Sequence, residues 1–327
     1  MNVLIFIHSP FEMWNIPGAH VDRLRTEFRQ HHFLHSADSR EAERLIVDAD
    51  VAFSAQIDRE QLTAATRLRW IHSPAAGVGG MLYPEMRQRQ VQITNSRGMA
   101  ADTMAEHAVA VTLAMFRRLH IAVRRQLERR WAQDEIASNA PNRTISGARV
   151  LIVGLGAIGR AAAARFSVLG AHVSAIRRRP GAGGPPDVRE VASPDRLREL
   201  LPAADVVIVS APQTAETRGL IGAAEMRLMK RDALLVNISR GKLVDEAALV
   251  EALRAGRLGG AALDVFEHEP LARDSPLWTL PNVLITPHTS GFRADHWDAA
   301  TTLFAENLRR FESGQPLLNV VDKEAGY

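Results

Sequence analysis

An α/β fold built from two doubly wound parallel-sheet domains is predicted by three observations. The chain has 327 residues, too many for one ordinary hydrophobic core. Short apolar runs alternate with amphipathic, helix-like stretches along most of its length, which is the pattern of βαβ units. Several of those runs are apolar throughout, as expected of strands covered by helices on both faces.

In the first hundred residues, strands are predicted at 3–7, 51–53, 68–72 and 91–95, with a helix over 19–30. The opening segment lacks a basic flank and a cleavage site, so it reads as a first strand and not as a signal peptide. From 100 to 126, residues Met104, His107, Ala108, Val111, Met115 and Leu119 recur at spacings of three and four, which predicts one long helix. Residues 134–142 read as a polar loop. A second α/β block follows, with strands at 149–153, 172–176, 206–210, 233–238, 261–265 and 283–286. A last helix is predicted over 295–311.

Composition narrows the function classes. Hydrophobic residues make up 46% and charged residues 24%, the balance of a soluble globular protein, and no apolar run approaches the roughly 20 residues of a membrane span. There is no cysteine, which removes disulfides, thiolate metal sites and cysteine nucleophiles and makes the cytoplasm the expected location. No metal is expected. The net charge is +3, and the arginines are interleaved with acids, as in Arg23-Leu24-Arg25-Thr26-Glu27. That is the pattern of solvated helix faces, so no nucleic-acid partner is expected.

The most specific motif is Gly154-Leu155-Gly156-Ala157-Ile158-Gly159, which follows the apolar run 150–153 and opens a helix. In that context the glycines serve a dinucleotide. Gly154 permits the tight turn, Gly156 lets the backbone approach a pyrophosphate, and Gly159 lets helix pack on strand. Ala157 and Ile158 start the helix whose N–H groups face the phosphates. The domain is therefore expected to be Rossmann-like. An acid that would hold the ribose hydroxyls of NAD is missing after the second strand, where Arg177-Arg178-Arg179 stand instead. Arg177 and Arg178 suit a 2′-phosphate, so NADP is expected to be preferred, with NAD possible.

Three further segments fall just past predicted strands, where open α/β sheets bind ligands. They are Asn237-Ile238-Ser239-Arg240-Gly241, Asp264-Val265-Phe266 with Glu269-Pro270, and Thr286-Pro287-His288. Reducing a ketone with hydride needs a proton donor and a positive group that binds and polarises the substrate. His288 is the natural donor, because imidazole titrates near neutral pH. Glu269 is placed to orient it, and Arg240 to clamp a carboxylate and the adjacent carbonyl oxygen.

With these motifs the chain resembles the D-isomer-specific 2-hydroxyacid dehydrogenases over nearly its whole length. The resemblance makes Arg240, Glu269 and His288 the catalytic set. It assigns the backbone N–H groups of Ala76, Gly77 and Val78 to the substrate carboxylate and Asp264 to the nicotinamide carboxamide. Ala211, Pro212 and Thr217 match the loop beside the cofactor, and Ile238 and Gly291 complete the cofactor-facing set. It implies a discontinuous substrate-binding, flavodoxin-like domain of residues 1–98 and 295–327, a dinucleotide-binding domain of residues 99–294, and an active site in the cleft between them. It also implies a homodimer, for which the helix over 100–126 is the candidate interface.

With no appended regulatory module read in its 327 residues, the chain is not expected to be a feedback-controlled phosphoglycerate dehydrogenase. Formate dehydrogenases of this fold carry Gln where Glu269 stands, so formate is not the expected substrate. The expected activity is reduction of a small 2-keto acid such as glyoxylate or hydroxypyruvate, or a larger one, by NADPH. The alternative is a dinucleotide-sensing binding protein, like the corepressor relatives of this fold.

Overall fold

The computed structural model describes residues 1–138 and 142–327 and divides into two compact units. One comprises Met1–Met99 and Arg293–Tyr327, the other Ala100–Phe292.

The first unit is built on a five-stranded sheet, β1 (Asn2–Phe6), β2 (His32–Ser36), β3 (Val51–Ser54), β4 (Trp70–Ser73) and β5 (Gln92–Asn95). Its order is β2-β1-β3-β4-β5 and every pairing is parallel. Both faces are buried, one around Leu4, Ala52 and Ile71, the other around Ile5, Phe53 and Trp70. The second face receives the helix His296–Glu312, whose Phe304 stacks on Phe53 with ring centroids 4.5 Å apart and on Trp70 at 5.3 Å. Removing a side chain of that size from water contributes about 2–3 kcal/mol, which is why the C-terminal segment belongs with the first hundred residues. Phe53 is wholly buried in this stack, so it is a packing residue and does not line a substrate pocket.

The second unit carries seven parallel strands, β6 (Arg149–Val153), β7 (His172–Ile176), β8 (Val188–Ala192), β9 (Val206–Val209), β10 (Leu234–Asn237), β11 (Gly260–Leu263) and β12 (Val283–Ile285). Their order is β12-β11-β10-β9-β6-β7-β8. The order reverses direction at β6, so chain ends from the two halves diverge there and leave room for a ligand at the carboxyl edge.

Two expectations need correction. The segment 100–126 is two helices, Ala101–Phe116 and Leu119–Leu127. Between them Arg118 adopts the left-handed conformation, φ 57°, which breaks the helical hydrogen-bond ladder and re-aims the chain. His120 Nδ1 then lies 3.3 Å from the Ala114 carbonyl of the preceding helix. The segment 134–142 is not wholly a loop, because Gln133–Ser138 is helical. There Glu135 binds Arg125 of the preceding helix through both carboxylate oxygens. The stretch 139–141 of that predicted loop lies outside the described residues.

Candidate active site

The glycine turn is dictated by close backbone packing. Gly154 has φ 108°, and a Cβ there would sit 2.4 Å from the Ala211 backbone nitrogen. A Cβ on Gly159 would lie 2.0 Å from the Gly154 carbonyl oxygen. Gly156 differs, since a Cβ would meet nothing within 4 Å. The fold therefore requires Gly154 and Gly159, whereas Gly156 leaves open space beside the start of the helix Ala157–Val168. The N-cap of that helix is Gly156, with no side-chain cap, so its first-turn N–H groups are presented to that space. Ala157 is exposed there and Ile158 half-buried. Ser210 Oγ holds the turn from the neighbouring strand end, donating to the Gly154 carbonyl at 2.7 Å.

Arg177 follows β7 directly. Its backbone is tied to Ala192 at 2.9 Å and its Nη1 donates to the Gly183 carbonyl at 2.7 Å. Arg178 is exposed beside it. Past β9, Ala211 is buried against Gly154, and Thr217 Oγ1 donates to the Pro212 carbonyl at 2.7 Å. Ile238 is buried just past β10. Gly291 faces Ala100 and Met104 at the start of the helix Ala101–Phe116, where an added Cβ would make ordinary contacts at 3.7 and 3.9 Å.

The three residues expected to carry chemistry are presented from neighbouring strand ends. A Cβ on Gly241 would lie 1.8 Å from the Phe266 carbonyl carbon, so the loop after β10 is pressed onto the loop after β11. That packing sets Arg240 beside Glu269. Arg240 Nη1 donates to the Ser239 carbonyl at 2.7 Å, which leaves Nε and Nη2 for a substrate. Burial pushes the guanidinium below its ordinary pKa, and the Glu269 charge works against that shift.

Glu269 is gripped at both oxygens. Oε1 accepts the Phe266 N–H at 2.9 Å, and Oε2 lies 2.6 Å from His288 Nδ1. Burial alone would raise its carboxyl. The His288 hydrogen bond, the Phe266 N–H and the charges of His288 and Arg240 outweigh burial and hold it below the usual carboxylate range. The carboxylate therefore fixes the imidazole through Nδ1. Nε2 has no hydrogen bond among the described residues.

His288 is itself held in a left-handed backbone conformation, φ 55°, which is strained for a residue with a Cβ. Asp264, only 1% exposed, supplies the restraint. Its backbone carbonyl accepts the His288 N–H at 2.8 Å. Its Oδ1 accepts from Thr286 Oγ1 at 2.6 Å and Thr289 N at 2.9 Å, and its Oδ2 accepts from Ser290 N at 3.0 Å. Asp264 is thus the anchor of the turn that carries His288. Sequence reasoning missed Thr286, Thr289 and Ser290 in this role, because a Thr or Ser beside Pro-His carries no signal of its own. It also left His107 as one apolar-face position among others, although His107 Nε2 lies 3.1 Å from Thr286 Oγ1.

Ala76, Gly77 and Val78 are in the other unit, on the loop after β4. Ala76 and Gly77 are exposed and Val78 is buried. Asn95 Nδ2 pins the loop by donating to the Ala76 carbonyl at 2.7 Å. Among the described residues no cluster of histidine and carboxylate side chains could hold a metal ion, and no helix is long and apolar enough to cross a membrane.

Comparison with known proteins gives concordant results. Residues 109–290 match the model for the D-isomer specific 2-hydroxyacid dehydrogenase NAD binding domain. A glyoxylate reductase of Korarchaeum cryptofilum is 35% identical over 273 residues, covering 82% of this chain and 80% of that protein. A D-isomer specific 2-hydroxyacid dehydrogenase of Xanthobacter autotrophicus, solved with NADPH and MES, superposes with a TM-score of 0.84 at 30% identity, covering 99% of both chains. An NADPH-dependent glyoxylate/hydroxypyruvate reductase of Sinorhizobium meliloti, solved with NADP and sulfate, gives 0.81 at 26% identity over 100% of both chains.

Proposed function

The chain belongs to the D-isomer-specific 2-hydroxyacid dehydrogenase family, and on that premise we propose that it reduces a small 2-keto acid of the glyoxylate or hydroxypyruvate class with NADPH. It is an oxidoreductase of hydride transfer between a nicotinamide dinucleotide and a 2-keto or 2-hydroxy acid. The observation that carries the reading is the His288–Glu269 pair at 2.6 Å beside Arg240. A binding protein that only senses dinucleotide has no use for an oriented imidazole next to a guanidinium, so the sensor reading is not favoured.

The dinucleotide supplies the hydride. Arg240 binds the substrate carboxylate and polarises its C2 carbonyl through the two donors it has left. His288 Nε2 holds the proton that passes to the carbonyl oxygen, and Glu269 keeps the ring oriented and balances the charge on the imidazolium. The N–H groups of Ala76–Val78 are proposed to hold the same carboxylate, which makes the first unit substrate-binding and the second dinucleotide-binding. The test is loss of absorbance at 340 nm from NADPH with glyoxylate, hydroxypyruvate, pyruvate and phenylpyruvate. No turnover on any of them, with cofactor still bound, overturns the proposal.

Preference for NADP rests on Arg177 and Arg178 at the end of β7, where an acid would repel a 2′-phosphate. Arg177→Asp should move the NADPH/NADH ratio of kcat/KM at least tenfold toward NADH, about 1.4 kcal/mol. An unmoved ratio would reduce the arginine run to solvated surface. Gly156 gives an independent check on where the phosphates lie. Gly156→Val places its side chain in open space, so it should leave the melting temperature nearly unchanged. NADPH affinity should weaken tenfold or more, about 1.4 kcal/mol, read by quenching of intrinsic fluorescence.

We further propose a cytoplasmic homodimer. Leu119, Val123 and Leu127 recur every four residues along the helix Leu119–Leu127 and are 51%, 55% and 81% exposed, and Trp131, past the end of that helix, is 90% exposed. Large apolar side chains exposed in that number call for a partner, and closed twofold dimers are the commonest answer. Light scattering should give twice the chain mass, and Leu127→Asp with Trp131→Asp should return it to the monomer.

A further inference from the structure

We infer that His107 is a positioning residue for hydride transfer, donating from Nε2–H to Thr286 Oγ1 and so fixing the Asp264-anchored turn that presents His288. The inference rests on His288 being the proton donor, as proposed above.

Thr286 has one hydroxyl proton, and its 2.6 Å contact with Asp264 Oδ1 consumes it. Asp264 offers no donor in return, since Thr289 N–H and Ser290 N–H also point at its carboxylate. Toward His107, Thr286 Oγ1 is therefore an acceptor, and the 3.1 Å contact requires a proton on His107 Nε2. The direction of the chain is then fixed: His107 Nε2–H to Thr286 Oγ1, and Thr286 O–H to Asp264 Oδ1. A hydroxyl that accepts a hydrogen bond becomes a stronger donor. The His107 contact thus tightens the grip of Thr286 on Asp264.

The effect reaches His288 through the backbone. Asp264 holds the turn on both sides of His288, at Thr286 and at Thr289 and Ser290, and receives the His288 N–H on its carbonyl. That framework sustains the left-handed backbone of His288, which otherwise relaxes toward ordinary geometry. His107 comes from the helix Ala101–Phe116, on which it is set by the buried neighbours Ala105, Ala108 and Val111. It braces the turn from a rigid element far away in the chain. Its ring is 3.9 Å from Asp264 Oδ1, outside hydrogen-bond range, so the hydroxyl relay is its only hydrogen-bonded route to the carboxylate among the described residues.

The test compares His107→Leu, His107→Gln and Thr286→Val in steady-state kinetics with NADPH and glyoxylate, with NADPH affinity and melting temperature measured on each. His107→Leu should lower kcat on the order of tenfold, since small misplacement of a reacting group costs that much or more. NADPH affinity should stay within a factor of about two. Gln retains an N–H donor at the same reach and should recover most of kcat. The double variant His107→Leu with Thr286→Val should be no worse than the poorer single variant, because both break one relay. Equal losses in Leu and Gln, or additive losses in the double variant, would overturn the inference and leave His107 a packing residue. If His107→Leu does not fold, Thr286→Val should lose kcat while His107→Gln keeps most of it, and a Gln variant that loses as much as Thr286→Val overturns the inference. A separate readout is the 15N shift of the His107 ring, which should report a proton on Nε2 in the wild type. His288→Ala run in parallel separates the two readings. If that variant keeps its kcat, the proton-donor assignment fails whatever His107 does.

Discussion

His288→Ala should lower kcat on a 2-keto acid by a factor on the order of 100 or more, the range that general acid catalysis supplies, while NADPH affinity stays close to wild type. The expectation follows from where each nitrogen points. Nδ1 is committed to Glu269 Oε2 at 2.6 Å, so only Nε2 can meet the substrate. The carboxyl of Glu269 is held below its ordinary range by the His288 hydrogen bond and the Phe266 N–H, against the effect of burial. It therefore keeps its charge through the neutral range and loses it only as pH falls through its own lowered value. Glu269→Gln should accordingly fold and bind cofactor, yet lose kcat, because a neutral amide neither orients the ring as strongly nor balances an imidazolium. A His288→Ala enzyme with unchanged kcat would move the proton donor elsewhere. A loss confined to KM would make His288 a binding group.

That site was legible because its residues follow strand ends that the apolar pattern marks. Runs such as Val206-Val207-Ile208-Val209 are wholly buried, so each declares itself a central strand, and the polar residues after it stand out. β2 and β8 did not declare themselves. Both lie at sheet edges, where half-exposed sequences such as His32-Phe33-Leu34-His35-Ser36 lose the apolar signature. The long helix was misread for a related reason. Its break falls on Arg117 and Arg118, and a left-handed residue that is not glycine leaves no mark in the sequence. The tie between His107 and Thr286 spans 179 residues, and no periodicity in the helix separates a histidine facing a hydroxyl from one facing the core.

Arg240→Leu should cost more than any change to the positioning residues, with kcat/KM falling on the order of a thousandfold. The guanidinium is asked for two charge-assisted hydrogen bonds, one to the substrate carboxylate and one to the carbonyl oxygen as it gains negative charge. Each is worth about 1.5–3 kcal/mol when one partner is charged, and a thousandfold corresponds to about 4 kcal/mol. Arg240→Lys keeps the charge but not the planar fork, and Gly241 packed on Phe266 leaves the loop little freedom to compensate. It should still lose on the order of a hundredfold. The loss should divide between KM and kcat, since the carboxylate contact is present in the ground state and the carbonyl contact grows toward the transition state. The sharper check is chemical rescue. Guanidinium ion added to Arg240→Ala should restore part of kcat with saturable dependence, while added ammonium should not. If Arg240→Leu stays within tenfold of wild type, the substrate carboxylate is held by other groups, and Arg240 serves only to balance the charge of Glu269.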